Sequence, residues 1–352
     1  MSDKLQIGIL GGGGILGAHG PAFVANGESC SVAMVAEPNP ERHAKIRELV
    51  GDQVEIVPDY RDVLKEDRID AIDIPHKVKR PLDEYREEVE KQIELAAECG
   101  WHELHTAFGG GEERYVDAVS WVDQLADAAL FIRSLAPVLR AHESRINVET
   151  HGDVTTFELI RLIEDVGPDI AGICLDTANL LCQCENPTRA SRRAAPYVHM
   201  THIKDAMITF THSGYRRQSL PPGRGILDWR NILPALAEYE PNLRLSIEDH
   251  KWLFDFHVFD PHWLRLHPDL TVEEFASIMQ IAWDCQQKMA AGELPDPETY
   301  NAIPYFDQLE ERLAFGRDYL NDMLDRLDLH DRPDIERPGM HRPMVPREWP
   351  IG

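Results

Sequence analysis

Short apolar runs of strand length, separated by stretches with helical spacing, fill the first 75 residues. LQIGIL (5–10), SVAMVA (31–36), VEIV (54–57) and IDAIDI (69–74) are such runs, and Asn39-Pro40 and Asp59 open helix-like segments between them. This alternation predicts parallel strands joined by crossover helices. A Pro-and-basic junction, PHKVKRP (75–81), precedes a long amphipathic helix that starts at Pro81 and stops at Gly100. Strand-like runs then recur at 103–108, 146–150, 172–176, 198–203 and 244–248. Helices lie between them. Thr155 with Glu158, and Thr271 with Glu274, have capping-box spacing at two helix starts. Pro137 should break or kink a helix spanning 113–141. The segment 329–352 is a Pro-rich tail with little apolar pattern, an extended arm that could pack on a second copy of the chain.

Four strand–helix units precede residue 80 and five strands follow it. Eight parallel strands close a (β/α)8 barrel, and nine are one too many. Two α/β architectures satisfy the count. The N-terminal strands form their own Rossmann-like sheet beside an incomplete barrel, or some of them complete the barrel. An incomplete barrel exposes two sheet edges, so completion is the favoured expectation. The expected organisation is a Rossmann-like βα segment over 1–78, a TIM-barrel domain over 79–328, and the tail.

With 36 Lys+Arg against 61 Asp+Glu the 352-residue chain carries a net charge of −25. That disfavours nucleic acid and anionic membrane surfaces, both of which need a basic footprint. No run approaches the roughly 20 apolar residues of a membrane span, and the start lacks a signal-peptide core. The expected setting is cytoplasmic, with the six cysteines as thiols. Cys182 and Cys184 lack a second cysteine pair that would make them half a metal site. The expected partner is a small sugar or polyol.

Four polar residues each end a predicted parallel strand: Glu149 in NVETHG, Asp176 in ICLDTAN, His202 in MTHIKD and Glu248 in LSIEDH. In a parallel barrel such ends converge on one mouth. Three carboxylates and an imidazole there suit Mn²⁺, Mg²⁺, Co²⁺ or Zn²⁺; without a cation the carboxylates repel. His151 points the same way as Glu149 along the strand and is a candidate substrate contact, as is Lys204 after His202. Arg216 and Arg217 are placed in a loop, where Arg217 could clamp a phosphate or carboxylate. The aromatic stretch 250–267 should mostly pack in the core, with part of it capping the site.

From about residue 82 to 328 the chain resembles the xylose isomerase-like sugar isomerase/epimerase barrels. The resemblance rests on the order of FGGG (108–111), VETHG, CLDTAN, HIKD, Gly223-Arg224-Gly225 before ILDW, and SIEDH. It implies one divalent metal on Glu149, Asp176, His202 and Glu248, with Glu149 and Glu248 moving protons beside a sugar carbonyl. Many relatives carry a histidine three residues after the aspartate. Asn179 stands there in this chain, an amide that can bind a substrate hydroxyl but does not exchange a proton near pH 7.

The first 75 residues resemble the N-terminal half of the glucose–fructose oxidoreductase/inositol dehydrogenase family. IGILGGGGILGAHGPAF offers Gly12, Gly14 and Gly17 in G-x-G-x-x-G spacing, or Gly11 and Gly13 in the family's register, and Glu37 ends the second strand. Gly11, Gly13 and Gly14 would then face a pyrophosphate and Glu37 a ribose, with NAD as the cofactor. The second domain and the Glu-Lys-Pro motif of that family are missing. The combined expectation is a metal-dependent isomerase or epimerase of a sugar, sugar phosphate or polyol-derived ketone. The alternatives are a lyase or dehydratase of keto-sugars, an NAD-dependent oxidoreductase, and an inactive fusion.

Overall fold

A computed structural model of the chain describes residues 4–11, 16–66, 68–69, 71–73, 82–109, 113–115 and 119–329. The chain divides into two compact units, Met1–Glu87 and Glu88–Gly352. The first holds β1 (Leu5–Leu10), α1 (Leu16–Ala25), β2 (Cys30–Ala36), α2 (His43–Val50), β3 (Glu55–Val57), α3 (Tyr60–Leu64) and β4 (Ala71–Asp73). Its strands form one parallel sheet in the order β3-β2-β1-β4. Ile7 and Ile9 of β1, Val35 of β2, Leu16 of α1, and Ile46 and Val50 of α2 make its core. Asn39 and Asp59 each accept a backbone N–H two residues on, starting the turns ahead of α2 and α3 as their side chains dictate.

The sheet corrects the expectation that N-terminal strands complete the barrel. Among the described residues no strand ladder joins β1–β4 to the later strands. β1 already has β2 on one side and β4 on the other. The outer strands β3 and β4 are three residues long, and such short edges offer little to a further strand.

The division falls within α4 (Leu82–Glu98), and in the second unit come β5 (Glu103–Thr106), α5 (Trp121–Ser134), α6 (Ala136–Ala141), β6 (Arg145–Glu149), α7 (Thr156–Val166), β7 (Ala171–Asp176), α8 (Pro187–Ala194) and β8 (Val198–His202). β5-β6-β7-β8 is a parallel sheet in chain order, half of a barrel wall. Every residue of β6 and β7 is buried, as strands covered on both faces must be. Val148, Ile173, Leu175 and Ile203 anchor this core. The run at 244–248 continues the wall through a single parallel bridge, Ile203 to Ile247, rather than a full strand. The segment 113–141 is not one kinked helix. Pro137 lies in the first turn of the separate helix α6, where its missing N–H has no partner to lose. Thr155 closes the capping box with Glu158 on α7.

After His202 the chain leaves the barrel pattern. β9 (Asp205–Phe210), β10 (Tyr215–Leu220) and β11 (Leu253–Phe256) form an antiparallel sheet, order β11-β10-β9. Between β10 and β11 lies α9 (Trp229–Ala237), and α10 (Pro261–Arg265), α11 (Val272–Ala290), α12 (Pro297–Ala302) and α13 (Leu309–Arg326) follow. Arg216 and Arg217 are therefore strand residues, not loop residues. Their alternation is hidden in the sequence because the inward member of the pair is itself charged. Arg216 faces out and bonds Asp255 across the strands at 2.6 and 2.9 Å. Arg216→Ala should lower stability by less than about 1 kcal/mol in a urea titration, since both partners are substantially exposed. Among the described residues no helix is long and apolar enough to cross a membrane. The tail from residue 330 lies outside the described residues.

Candidate metal centre

Parallel strand ends deliver the four residues singled out in the sequence. Glu149, Asp176 and His202 are the last residues of β6, β7 and β8, and Glu248 follows the bridge at Ile247. One ligand atom from each lies within 4.8 Å of the others. Threonines beside these residues fasten the strand ends. The Thr150 hydroxyl donates to the Asp176 carbonyl at 3.1 Å and accepts the Asp176 N–H at 2.9 Å. Thr177 does the same with Lys204, at 2.6 and 2.9 Å. Thr201 donates to the Arg244 carbonyl at 2.8 Å and accepts the Ser246 N–H at 3.1 Å. The sheet is thus extended by side-chain rungs where its backbone ladder ends.

His202 Nδ1 lies 3.3 Å from Glu149 Oε1 and 3.1 Å from Glu248 Oε2. The Glu149 carboxylate is buried, which opposes its charge, yet the His105 and His202 imidazoles beside it hold its pKa well below the usual range. His202 moves the other way. Burial disfavours its proton, but Cys174, Glu149 and Glu248 raise its pKa far above that of a free imidazole. Burial raises Asp176 to about 6, with Lys204 pulling down and Glu248 and Glu149 adding to the rise. Glu248 is held at about 2, His202 and Lys204 outweighing its burial.

Glu149 Oε1 and His202 Nδ1, 3.3 Å apart, are among the buried atoms without a hydrogen-bond partner. Both belong to the four-residue set. Two bonds of about 2.1 Å span about 4.2 Å across a divalent ion, so a set gathered within 4.8 Å needs only a small inward movement. Three oxygen donors and one imidazole suit a hard or borderline ion. The residues present therefore fit a divalent metal.

The other candidates fall in different places. Lys204 is not a solvated loop residue. It is 3% exposed, and its ammonium lies 2.6 Å from Asp176 and 2.9 Å from Glu248. Asn179 turns onto Asp176. Its backbone N–H donates to Asp176 Oδ1 at 3.1 Å and its side-chain amide donates to Oδ2. His151 is exposed and meets the Gly109 carbonyl at 2.7 Å through Nδ1. Arg217 is buried on the inward face of β10. Gly11 has φ +107°, a conformation that suits glycine, and donates its N–H to Ala36. Glu37 is buried and accepts the Asn39 N–H at 2.8 Å. Gly13 and Gly14 lie outside the described residues.

Two histidines escaped the sequence reading. His105 on β5 lies 2.8 Å from Glu149 Oε2, its ring 4.9 Å from that of His202. His250 lies 3.0 Å from the Lys204 ammonium. The available signal was the same in both cases, a histidine on or just beyond a strand that ends at the mouth.

The HIKD and GRGILDW motifs prove to be one construction. Asp205 is fully buried. Its Oδ1 accepts the N–H groups of Ala206 and Leu227 at 2.8 and 3.0 Å. Its Oδ2 accepts the Gly223 N–H at 3.0 Å and the Trp229 indole N–H at 2.9 Å. At Gly225 a Cβ would come within 2.2 Å of Asp205 Oδ1 and 2.3 Å of the Ala206 carbonyl, so only glycine fits this approach.

The xylose isomerase-like TIM-barrel family model matches residues 36–257. Uncharacterized protein YihM of Escherichia coli (strain K12) is 28% identical over 99 residues, 27% of this chain and 30% of that protein. 3-Oxo-isoapionate decarboxylase of Pectobacterium atrosepticum is 25% identical over 134 residues, 36% of this chain and 46% of that protein. The chain thus spans less than half the length of the curated relatives it matches. A xylose isomerase-like TIM-barrel protein of Mycobacterium smegmatis, solved in complex with magnesium, is 16% identical with TM-score 0.44, over 77% of this chain and 90% of that one. With its family model matched over 222 of 352 residues, from 36 to 257, the chain belongs to the xylose isomerase-like TIM-barrel family.

Proposed function

We propose that the chain is a divalent-metal-dependent isomerase or epimerase of a sugar, sugar phosphate or polyol-derived ketone, acting by proton transfer next to the carbonyl. The observation that carries this reading is the placement of two glutamates, Glu149 and Glu248, within 3.3 Å of His202 Nδ1 from either side of β8 in the strand order. When bound, a divalent ion would polarise a carbonyl and its neighbouring hydroxyl. Glu149, Asp176, His202 and Glu248 would hold it. Glu248, 39% exposed at its side chain, is the more accessible base, and Glu149 the buried one. One removes the proton and the other returns it. Lys204 and Asn179 fix the direction of Asp176, and Lys204 also steadies Glu248.

A lyase reading uses the same carbonyl chemistry, and the matched segment of 3-oxo-isoapionate decarboxylase supports it. Metal titration tests what both readings share. The expected result is one Mn²⁺ per chain, with affinity lowered about 100-fold or more in His202→Ala, since loss of even an outer-shell partner costs 10- to 100-fold. Solvent-deuterium exchange then separates them. Deuterium entering a ketose at the carbon next to the carbonyl supports proton transfer. Failure to retain any divalent ion, or turnover of a ketose without exchange, overturns the isomerase reading.

A further inference from the structure

Beside the candidate metal centre lies a cation that no side chain among the described residues neutralises. Arg217 is 1% exposed. Its Nη1 donates to Ser219 Oγ at 2.8 Å, its Nε has no hydrogen-bond partner, and among the described residues no carboxylate pairs with it. Other buried arginines of the chain are treated differently. Arg114 meets Glu158 at 2.8 Å, Arg145 meets Glu103 at 3.2 Å, and Arg312 meets Asp249 at 2.7 Å. A buried charge without a counter-charge is unfavourable in the folded state, so its retention at one position calls for an anion from outside.

The position of Arg217 says where that anion goes. Its cross-strand neighbour is Phe254, and the guanidinium lies over that ring, 5.3 Å from its centroid. Phe254 meets Trp252 edge-on at 6.2 Å, and Trp252 stacks on His250 at 4.6 Å. His250 in turn touches Lys204, which bridges Asp176 and Glu248. Trp252 is 58% exposed, so this side of the centre is open to a ligand. The loaded centre would hold three carboxylates, Glu149, Asp176 and Glu248, against a divalent ion, Lys204 and Arg217. One positive charge is left over.

We propose that Arg217 binds a carboxylate of the substrate, and that the centre acts on keto-sugar acids in preference to neutral sugars. This rests on the metal-centre reading above and narrows its substrate class. The planar guanidinium fork matches a planar carboxylate with two parallel hydrogen bonds, and a single surplus charge matches a monoanion rather than a phosphate dianion.

Calorimetric titration with 2-keto-D-gluconate and D-fructose tests the proposal, because the two ligands differ at C1, carboxylate against hydroxymethyl. The Mn²⁺-loaded chain should bind the acid about 10- to 100-fold more tightly, the range of a charge-assisted hydrogen bond. Arg217→Met should lose that preference while changing D-fructose affinity by no more than about twofold. Arg217→Lys should keep part of it, and serves as the comparison if Arg217→Met does not fold. Equal affinity for the two ligands in the parent, including no binding of either, overturns the proposal. So does a preference that survives in Arg217→Met, or tighter binding of D-fructose 6-phosphate than of the acid. Mn²⁺ binding is measured separately by its electron paramagnetic resonance signal, and the titrations are repeated after chelation. No Mn²⁺ binding with the acid preference intact in the chelated chain would sink the metal reading and leave the role of Arg217 standing.

Discussion

Glu248→Gln should retain Mn²⁺ and lose at least about 10²-fold in turnover, the lower end of what a positioned base contributes. Glutamine keeps the shape and one ligating oxygen, so the metal position is largely preserved. It cannot accept a proton near neutral pH. It also removes the charge that Lys204 meets at 2.9 Å, but Lys204 keeps Asp176 at 2.6 Å and stays in place. A metal-bound carboxylate is a weak base because the cation lowers its pKa. The same cation would acidify the substrate's carbon-bound proton, which keeps the transfer feasible. Deuterium exchange from solvent into the substrate should therefore vanish in the variant. Exchange at the parent rate would leave Glu248 as a ligand alone.

Asp205→Ala should destabilise the second unit by about 3–5 kcal/mol in chemical denaturation, the largest effect on stability expected of any single change. It strands four donors, three buried and one half-buried at Gly223: three backbone N–H groups and the Trp229 indole. Each unsatisfied buried donor costs about 1–3 kcal/mol, partly recovered by relaxation or water. Asp205→Asn separates hydrogen bonding from volume. Each carboxylate oxygen accepts two N–H groups, so whichever way the amide is turned its NH₂ faces two donors. Asparagine should be no better than alanine. A cost below about 1 kcal/mol for both would mean that the GRGILDW segment is held by its packing, not by Asp205.

The parallel half of the barrel was legible because its strands are short strand-forming segments, three of which end in Glu149, Asp176 and His202. With Glu248 these are the residues the fold gathers within 4.8 Å. The antiparallel sheet was not legible, because its inward face carries Arg217, and an arginine pair reads as surface charge. The separate N-terminal sheet could not be read from counting. Strand number constrains how many partners exist, not which strands pair, and three-residue edge strands leave almost no trace in composition. His105 was missed since one histidine in a four-residue strand is indistinguishable from a solvent-facing one until Glu149 is placed beside it. Asn179 is a candidate substrate contact in the sequence because it stands where relatives carry a histidine, and that position does not reveal that its amide donates to the Asp176 carboxylate.

The threonine rungs at 150, 177 and 201 carry a consequence of a different kind. Each fixes a strand end through one methyl-bearing side chain, and none is a ligand. Valine at such a position has nearly the same volume and a similar strand preference, yet it makes neither of the two hydrogen bonds. The entropy of aligning the strand ends that carry the proposed ligands would therefore be carried by residues outside that set. Metal affinity and exchange rate of the proposed centre would then be adjustable in small steps by Thr-to-Val changes outside the four residues, with the chemical identity of every one of them fixed.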